Sequence, residues 1–153
     1  LWEIEAQCFP PGEMCLRANF ERRMAECPEH FMLLRRTDSG AICAFVGGIR
    51  TSKPHLTDDM FAGDVRHEAD GKTVMILGLN THPAYRGRGF AAMLLRRCIE
   101  NARRSGAERC VLTCHDHLID YYASFGFCLQ EDCQSHWGGE NWHEMVLPLN
   151  NME

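Results

Sequence analysis

The feature that most limits the fold of this chain is a strand, a glycine-containing turn and a helix that follow one another between residues 72 and 106. The segment "KTVMILGLNTH" is apolar at consecutive positions from Val74 to Leu79, which is typical of a strand buried on both faces in the middle of a sheet. After Pro83, the segment "RGFAAMLLRRCIENARRSG" carries an apolar stripe at helical spacing, with Gly106 as its stop signal. A buried strand followed by an amphipathic helix predicts an α/β domain.

The remaining segments fit around this unit as further strands and helices of one sheet. Two helices are predicted in "LWEIEAQCF" and "LRANFERRMAEC". A β-hairpin is predicted where "HFMLLRR" and "AICAFVGGIR" flank a turn rich in Asp, Ser and Gly. The rest reads as a strand "RCVLTCH", a short helix "LIDYYASF" and closing strands "FCLQ" and "HEMVLPL". The chain of 153 residues therefore predicts a single α/β domain over residues 1–153, with a mixed central sheet flanked by helices.

Composition and charge exclude several classes of protein. The chain is 45% hydrophobic and 24% charged, which indicates a soluble globular protein. It has no apolar run near the ~18 residues that span a bilayer and no basic-then-apolar signal peptide, so no membrane partner and a cytoplasmic location are predicted. The nine cysteines form no disulfide framework by their spacing. A net charge of -5 disfavours a general nucleic-acid partner, because such proteins need a basic surface.

The turn "YRGRGFA" carries the clearest chemical signal. Glycines at a strand-to-helix turn let backbone N–H groups approach an anion, and the start of the helix adds the positive end of its dipole. A pyrophosphate would fit there, with Arg86 and Arg88 as charge partners. The competing interpretation is a tight turn with solvated arginines.

In its context this turn resembles the acetyl-CoA pyrophosphate loop of the GNAT N-acetyltransferase superfamily. The superfamily pattern is Gln/Arg-x-x-Gly-x-Gly/Ala, and here it is Arg86, Gly89 and Ala91. Further along, "YASFGF" from Tyr122 resembles the Tyr-x-x-x-Gly-Phe element of the same superfamily. A narrower likeness, to the arylalkylamine (serotonin) N-acetyltransferases of non-vertebrate type, is carried by "EIEAQCF", "PPGE", "ECPE", "AFVGG", "LTCHDHLIDYYASFGF" and "GGENWHEMVLPL".

The resemblance implies an acetyl-CoA-dependent N-acetyltransferase that acts on the primary amine of a small molecule, an arylalkylamine or a polyamine. The amine would attack the acetyl thioester directly in a ternary complex. The implied cosubstrate is acetyl-CoA, with no metal, and the protein would be a monomer or homodimer. The sheet would be splayed at its central strands. The cofactor-binding residues would be Leu79, Asn80, Thr81, Arg86, Gly87, Arg88, Gly89, Phe90, Ala91, Ala92 and Tyr122.

The resemblance also assigns the proton donor and leaves the base open. Tyr122 matches the tyrosine that protonates the leaving thiolate, with Tyr121 as a rival one residue away. Vertebrate members of the serotonin family carry two histidines at the positions of Met75 and Leu77. The methionine and leucine side chains that stand there in this chain cannot accept a proton. The candidates for a general base are Glu13, His115 and His117, together with Asp116 and His143. Glu13 is favoured, because it lies in the loop that corresponds to the acceptor-binding loop of the family. The substrate-binding residues would be Phe9, Pro11, Glu13, Met75, Leu77 and Thr113.

Three other functions stay open on the sequence. The first is acetylation of a protein N-terminus or lysine, and the second is a non-catalytic domain that binds acetyl-CoA. The third is a metal or redox module built from Cys110, Cys114, His115 and His117. It is disfavoured because zinc sites usually show two paired sets of ligands. In the favoured interpretation "HDHLID" is a polar turn before the short helix, with Asp116 as its N-cap.

Overall fold

The computed structural model describes residues 31–53, 55–58, 60, 67–130 and 142–149. The two predicted N-terminal helices lie outside these residues, as do Phe9, Pro11 and Glu13. In the described part of the chain, no helix is long and apolar enough to cross a bilayer.

The described strands form one six-stranded sheet in the order β1-β2-β3-β4-β6-β5. Their bounds are Phe31–Arg35 (β1), Ile42–Thr51 (β2), Thr73–Thr81 (β3), Arg109–Cys114 (β4), Cys128–Leu129 (β5) and His143–Pro148 (β6). Only the pair β3 and β4 is parallel, and the other neighbours are antiparallel. The predicted hairpin is confirmed by the pairing of β1 with β2, and the predicted central strand is confirmed by the place of β3 inside the sheet.

The long helix α1 (Phe90–Arg104) makes the parallel crossover from β3 to β4. Gly106, with φ +84°, lies just beyond its end, as its sequence predicts. A 3₁₀ turn, Pro83–Tyr85, precedes the helix, and a second, Asp116–Leu118, leads into the short helix α2 (Ile119–Ala123). The mixed α/β fold predicted from the sequence is therefore confirmed.

Each face of the sheet carries its own apolar cluster. On the face packed by α1, which we call the helix face, Leu94 and Leu95 lie against alternate residues of β2, β3 and β4. On the opposite face, which we call the loop face, Leu56 and Met60 from the β2–β3 connection pack against residues such as Met75. A side chain on β3 or β4 therefore belongs to one of two separate environments.

A β-bulge interrupts the pairing of β2 with β3. Gly47 is paired with Gly78 and Gly48 with Ile76, so Leu77 is an extra residue on β3. Such an insertion bends the bulged strand. Gly48 lies so close to β3 that a Cβ atom on it would stand 2.1 Å from the carbonyl oxygen of Met75. Glycine is thus required at this position by a backbone contact and not by a special φ angle.

We predict that Gly48→Ala lowers the free energy of unfolding by at least about 2 kcal/mol, because the added methyl group overlaps backbone that cannot move without breaking the bulge. Chemical denaturation monitored by circular dichroism measures this. The matched control is Gly40→Ala, where φ is +74° and no atom lies within 4 Å of the added carbon. Its cost should be backbone strain alone, about 1 kcal/mol. A smaller loss for Gly48→Ala than for Gly40→Ala would contradict the prediction.

Candidate active site

A cleft opens between β3 and β4. The two strands pair only from Thr73 to Met75 on β3 and from Arg109 to Val111 on β4. Both continue beyond that point, β3 to Thr81 and β4 to Cys114, without pairing to each other. The separation begins directly before the bulge at Leu77, so the bend in β3 accounts for it. The predicted splay of the central strands is confirmed.

The glycine turn lies beyond the end of β3. Gly87 and Gly89 adopt φ angles of +80° and +77°, which favour glycine. Gly89 is the N-cap of α1 and makes no side-chain capping bond. The first turn of α1 contains no acidic residue. The helix start is therefore an electropositive end without a side-chain cap, as an anion-binding turn requires.

Arginine side chains surround this turn. Arg86 donates from Nε to the carbonyl oxygen of Thr81 at 3.4 Å, and the Arg88 guanidinium lies 5.5 Å from the centre of the Tyr85 ring. Both arginines are exposed. Arg36, which follows β1, pairs with Asp38 and also reaches Tyr85. The sequence did not predict Arg36, because it lies about fifty residues before the turn and only the hairpin brings it near.

Asn80 lies on the part of β3 that has separated from β4, and its amide group is an independent indication of a ligand. Asn80 is 2% exposed, and neither Nδ2 nor Oδ1 has a hydrogen-bond partner among the residues that the structure describes. A buried polar group without a partner costs about 1–3 kcal/mol. The pantetheine arm of CoA carries amide groups that can satisfy both atoms. The residues present therefore fit acetyl-CoA, with the glycine turn suited to its pyrophosphate.

The predicted proton donor lies on the helix face. Tyr122 is half-buried against the core, with its ring edge-on to Phe127 at 6.2 Å between centroids. Burial, reinforced by the nearby Cys114 and Tyr121, raises its pKa well above the usual phenol value. It therefore stays protonated through the whole physiological pH range. Tyr121 is 38% exposed, so the environment of the two rings distinguishes them.

Met75 and Leu77, which were predicted to bind substrate, lie in an apolar cluster. Met75 is fully buried on the loop face, and Leu77 packs against the same cluster. Thr113 alternates with the helix-face residues Leu112 and Cys114, so its side chain is directed to the loop face. Three of the predicted substrate-binding residues thus lie on or beside one face of the cleft.

A histidine cluster lies at the end of β4. The rings of His115 and His117 are stacked with centroids 6.0 Å apart, and His115 packs against Trp142 at 4.2 Å. Asp116 pairs with His143. The prediction that Asp116 is an N-cap is wrong: His115 caps the 3₁₀ turn and Leu118 caps α2, both without side-chain capping bonds.

The metal hypothesis finds no converging set of ligands. Cys110 and Cys114 point into the helix-face core, where the Cys114 thiol contacts the Met145 sulfur at 3.7 Å. His115 instead lies against Trp142, and His117 is exposed. Over the residues whose structure is described, no group of three or more His, Cys, Asp or Glu side chains is arranged to hold a metal ion.

A second histidine–carboxylate pair was not predicted from the sequence. Glu144 on β6 is fully buried, and its Oε2 lies 2.8 Å from Nδ1 of His55. Its Oε1 accepts a hydrogen bond from the backbone N–H of Leu56 at 2.9 Å. The two residues are 89 positions apart, and the connection that carries His55 has no regular pattern, so no sequence signal links them.

Together, the split sheet, the glycine turn and the unpartnered amide define a class of protein that holds a long phosphate-bearing ligand between two strands. The chain belongs to the acetyltransferase (GNAT) family, whose model matches residues 1–127. This membership supports the predicted acetyltransferase enzyme.

Individual relatives are more distant. The chain is 28% identical over 124 residues to serotonin N-acetyltransferase of Mesocricetus auratus, covering 80% of this chain and 58% of the relative. It is 27% identical over 118 residues to glucosamine 6-phosphate N-acetyltransferase 1 of Oryza sativa subsp. japonica, covering 77% and 65%. The chain thus spans about 60% of the length of these curated relatives. The structure of the GphF GNAT-like decarboxylase in complex with isobutyryl-CoA shares the fold, with a TM-score of 0.77 at 22% identity over 97% of this chain and 92% of that one.

We predict that Gly89→Glu weakens acetyl-CoA binding by at least about tenfold, or ~1.4 kcal/mol. The new carboxylate would lie at the start of α1 and repel the phosphates. In addition, a glutamate strains the left-handed φ angle that Gly89 adopts. Isothermal titration calorimetry measures the affinity. The control is Gly106→Glu, at the other end of the same helix, where φ is +84° and nothing lies within 4 Å. It carries the same charge and strain, so equal affinity losses in both variants would refute the assignment of the turn.

Proposed function

We propose that this chain is an acetyl-CoA-dependent N-acetyltransferase that transfers the acetyl group to the primary amine of a small molecule, an arylalkylamine or a polyamine. The observation that carries the proposal is the separation of β3 and β4 after Met75, beside a glycine turn at the start of α1. When bound there, acetyl-CoA supplies a thioester whose carbonyl carbon an amine can attack.

The residues of the cleft would position the cosubstrate. Backbone groups from Leu79 to Thr81 would pair with the pantetheine arm, since none of the described strands pairs with β3 on the β4 side at that level. The backbone N–H groups from Gly87 to Ala92 would hold the pyrophosphate, with Arg86 and Arg88 as charge partners. Arg36 would contribute less to pyrophosphate binding, because its Nε already donates a hydrogen bond to Asp38 Oδ1 at 2.9 Å.

Transfer would occur directly from the thioester to the amine. A cysteine acts as an acyl carrier only as thiolate, and burial raises the pKa of Cys98 to about 11 and that of Cys110 further. These two thiols are therefore poor nucleophiles at neutral pH. Tyr122 would deliver its phenolic proton to the departing CoA thiolate. Because the pKa of Tyr122 is raised, its phenol is protonated at the start of each turnover.

A small cationic amine is favoured as acceptor by two observations. The curated relatives include serotonin N-acetyltransferases of two mammals, at 28% and 27% identity. The net charge of -5 attracts cations over long range. Because the rice relative is named for glucosamine 6-phosphate, that amino sugar is the competing acceptor to test.

An acceptor screen tests the function. We expect CoA release, detected with a thiol reagent, to depend on added tryptamine, phenylethylamine or spermidine, and to exceed release with N-terminal peptides or glucosamine 6-phosphate. Preference for a peptide would show a protein acetyltransferase. Acetyl-CoA binding without amine-dependent CoA release for any acceptor would show a non-catalytic binding domain.

The proton donor is tested by removing one hydroxyl group. We predict that Tyr122→Phe lowers kcat by about 10²-fold, the usual scale for loss of a general acid, with little change in acetyl-CoA affinity. Tyr121→Phe is the matched control, because it removes the same group from the exposed neighbouring ring. The assignment moves to Tyr121 if that variant loses activity and Tyr122→Phe keeps it.

A further inference from the structure

We infer that His55 accepts the proton of the substrate ammonium and that Glu144 is the residue that positions it. The inference rests on the proposed function. His55 Nδ1 is held at 2.8 Å from the Glu144 carboxylate, whose side chain is 0% exposed, whereas the His55 side chain is 43% exposed. With Nδ1 engaged, Nε2 is the ring nitrogen that takes a proton. A histidine oriented by a buried carboxylate is the usual arrangement of a general base.

The pair lies on the correct face and at the correct level of the cleft. Glu144 is the cross-strand partner of Thr113, which lies two residues beyond Val111, where β4 separates from β3. Thr113 and Glu144 both face the loop side, as does Met75. The dyad is thus one strand away from the opening, about 5 Å in a sheet, on the same face as Met75.

The described elements around His55 carry several charged and titratable groups. The strands packed against its loop present on this face the charged residues Glu144 and Arg109. Arg109 lies at the far end of β4, where its Nε donates to the Thr73 hydroxyl at 2.9 Å. The described part of the loop itself adds Lys53, Asp58, His67, Glu68, Asp70 and Lys72. Of these, Glu68 accepts hydrogen bonds from Thr51 and Ser52, and His67 accepts one from the backbone N–H of Arg50. Glu144 is therefore the charge in direct contact with the imidazole.

The proton movement balances without another reagent. The ammonium N–H bond breaks, the proton passes to His55 Nε2, and the nitrogen keeps the electron pair with which it attacks the thioester carbon. The resulting imidazolium keeps its Nδ1 hydrogen bond to Glu144. Because the His55 ring is partly exposed, it then releases the proton to solvent, while Tyr122 protonates the CoA sulfur from the other face.

The test is the pH profile of kcat/KM with tryptamine, or with the best amine of the screen. We expect His55→Gln, which can still donate to Glu144, to lower kcat/KM about 10²-fold at neutral pH. The loss should shrink as pH rises, because more amine arrives neutral. Glu144→Gln should also lower kcat, by about tenfold, because it keeps the size of the side chain but removes the charge and places an NH₂ donor against either the Leu56 N–H or the His55 ring.

Three matched histidine variants separate this inference from its rivals. His67→Gln is the control, because His67 is bonded through Nδ1 to the backbone of Arg50 on another part of the fold. His115→Gln and His117→Gln test the cluster at the end of β4. The inference is overturned if one of these two variants, and not His55→Gln, shows the loss of kcat/KM that shrinks as pH rises. A uniform loss at every pH with a lower melting temperature would show a structural role and overturn it as well.

A readout that does not need turnover completes the design. Adding tryptamine to the protein saturated with CoA should move the His55 imidazole signals in a heteronuclear NMR spectrum and leave those of His67 in place. If the wild type acetylates no amine, both the proposed function and this inference fail. If it is active and His55→Gln keeps the wild-type rate and profile, only this inference fails.

Discussion

The site depends on the contact between Gly48 and the carbonyl oxygen of Met75. Because Gly48 has no side chain, β2 can stay against β3 at the point where β3 takes in Leu77 as an extra residue. The bulge bends β3 away from β4, and their parallel pairing ends at Met75. The same strand then runs on for six residues to Thr81 and into the glycine turn. The cleft, its unpaired strand edge and its anion-binding turn are thus consequences of one local irregularity.

The cleft between β3 and β4 connects the helix face of the sheet with the loop face. The two proton transfers of the proposed reaction can therefore take place on opposite faces. Tyr122 and Cys114 belong to the helix face, whereas Met75 and the residues around Leu56 belong to the loop face. In direct transfer, one proton leaves the amine nitrogen and another reaches the sulfur. A cleft that passes between the faces can keep the acid and the base apart, so that they do not neutralise each other.

The sequence predicted features that local patterns encode. The buried strand around Val74, the stripe of α1 and the glycine turn each arise from neighbours in the chain, and all three were placed correctly. The bulge was not predicted, since an extra residue such as Leu77 is defined only by the register with β2. Arg36 and the pair of His55 with Glu144 were missed for the same reason: tertiary pairing joins them across long separations. The N-cap assigned to Asp116 failed because His143, 27 residues later, competes for its carboxylate.

The energetics of Glu144 argue that it does more than hold the fold. Its neighbours on the loop face, Val111 and Val146, are apolar. A fully buried carboxylate instead pays a desolvation penalty of several kcal/mol, which a partner such as a half-exposed histidine rarely turns into net stability. One of its oxygens fixes the backbone of Leu56 and the other fixes the ring of His55. In the proposed reaction, the bond to Nδ1 would orient an imidazole whose Nε2 takes the proton of the amine, which is a requirement of proton transfer and not of packing.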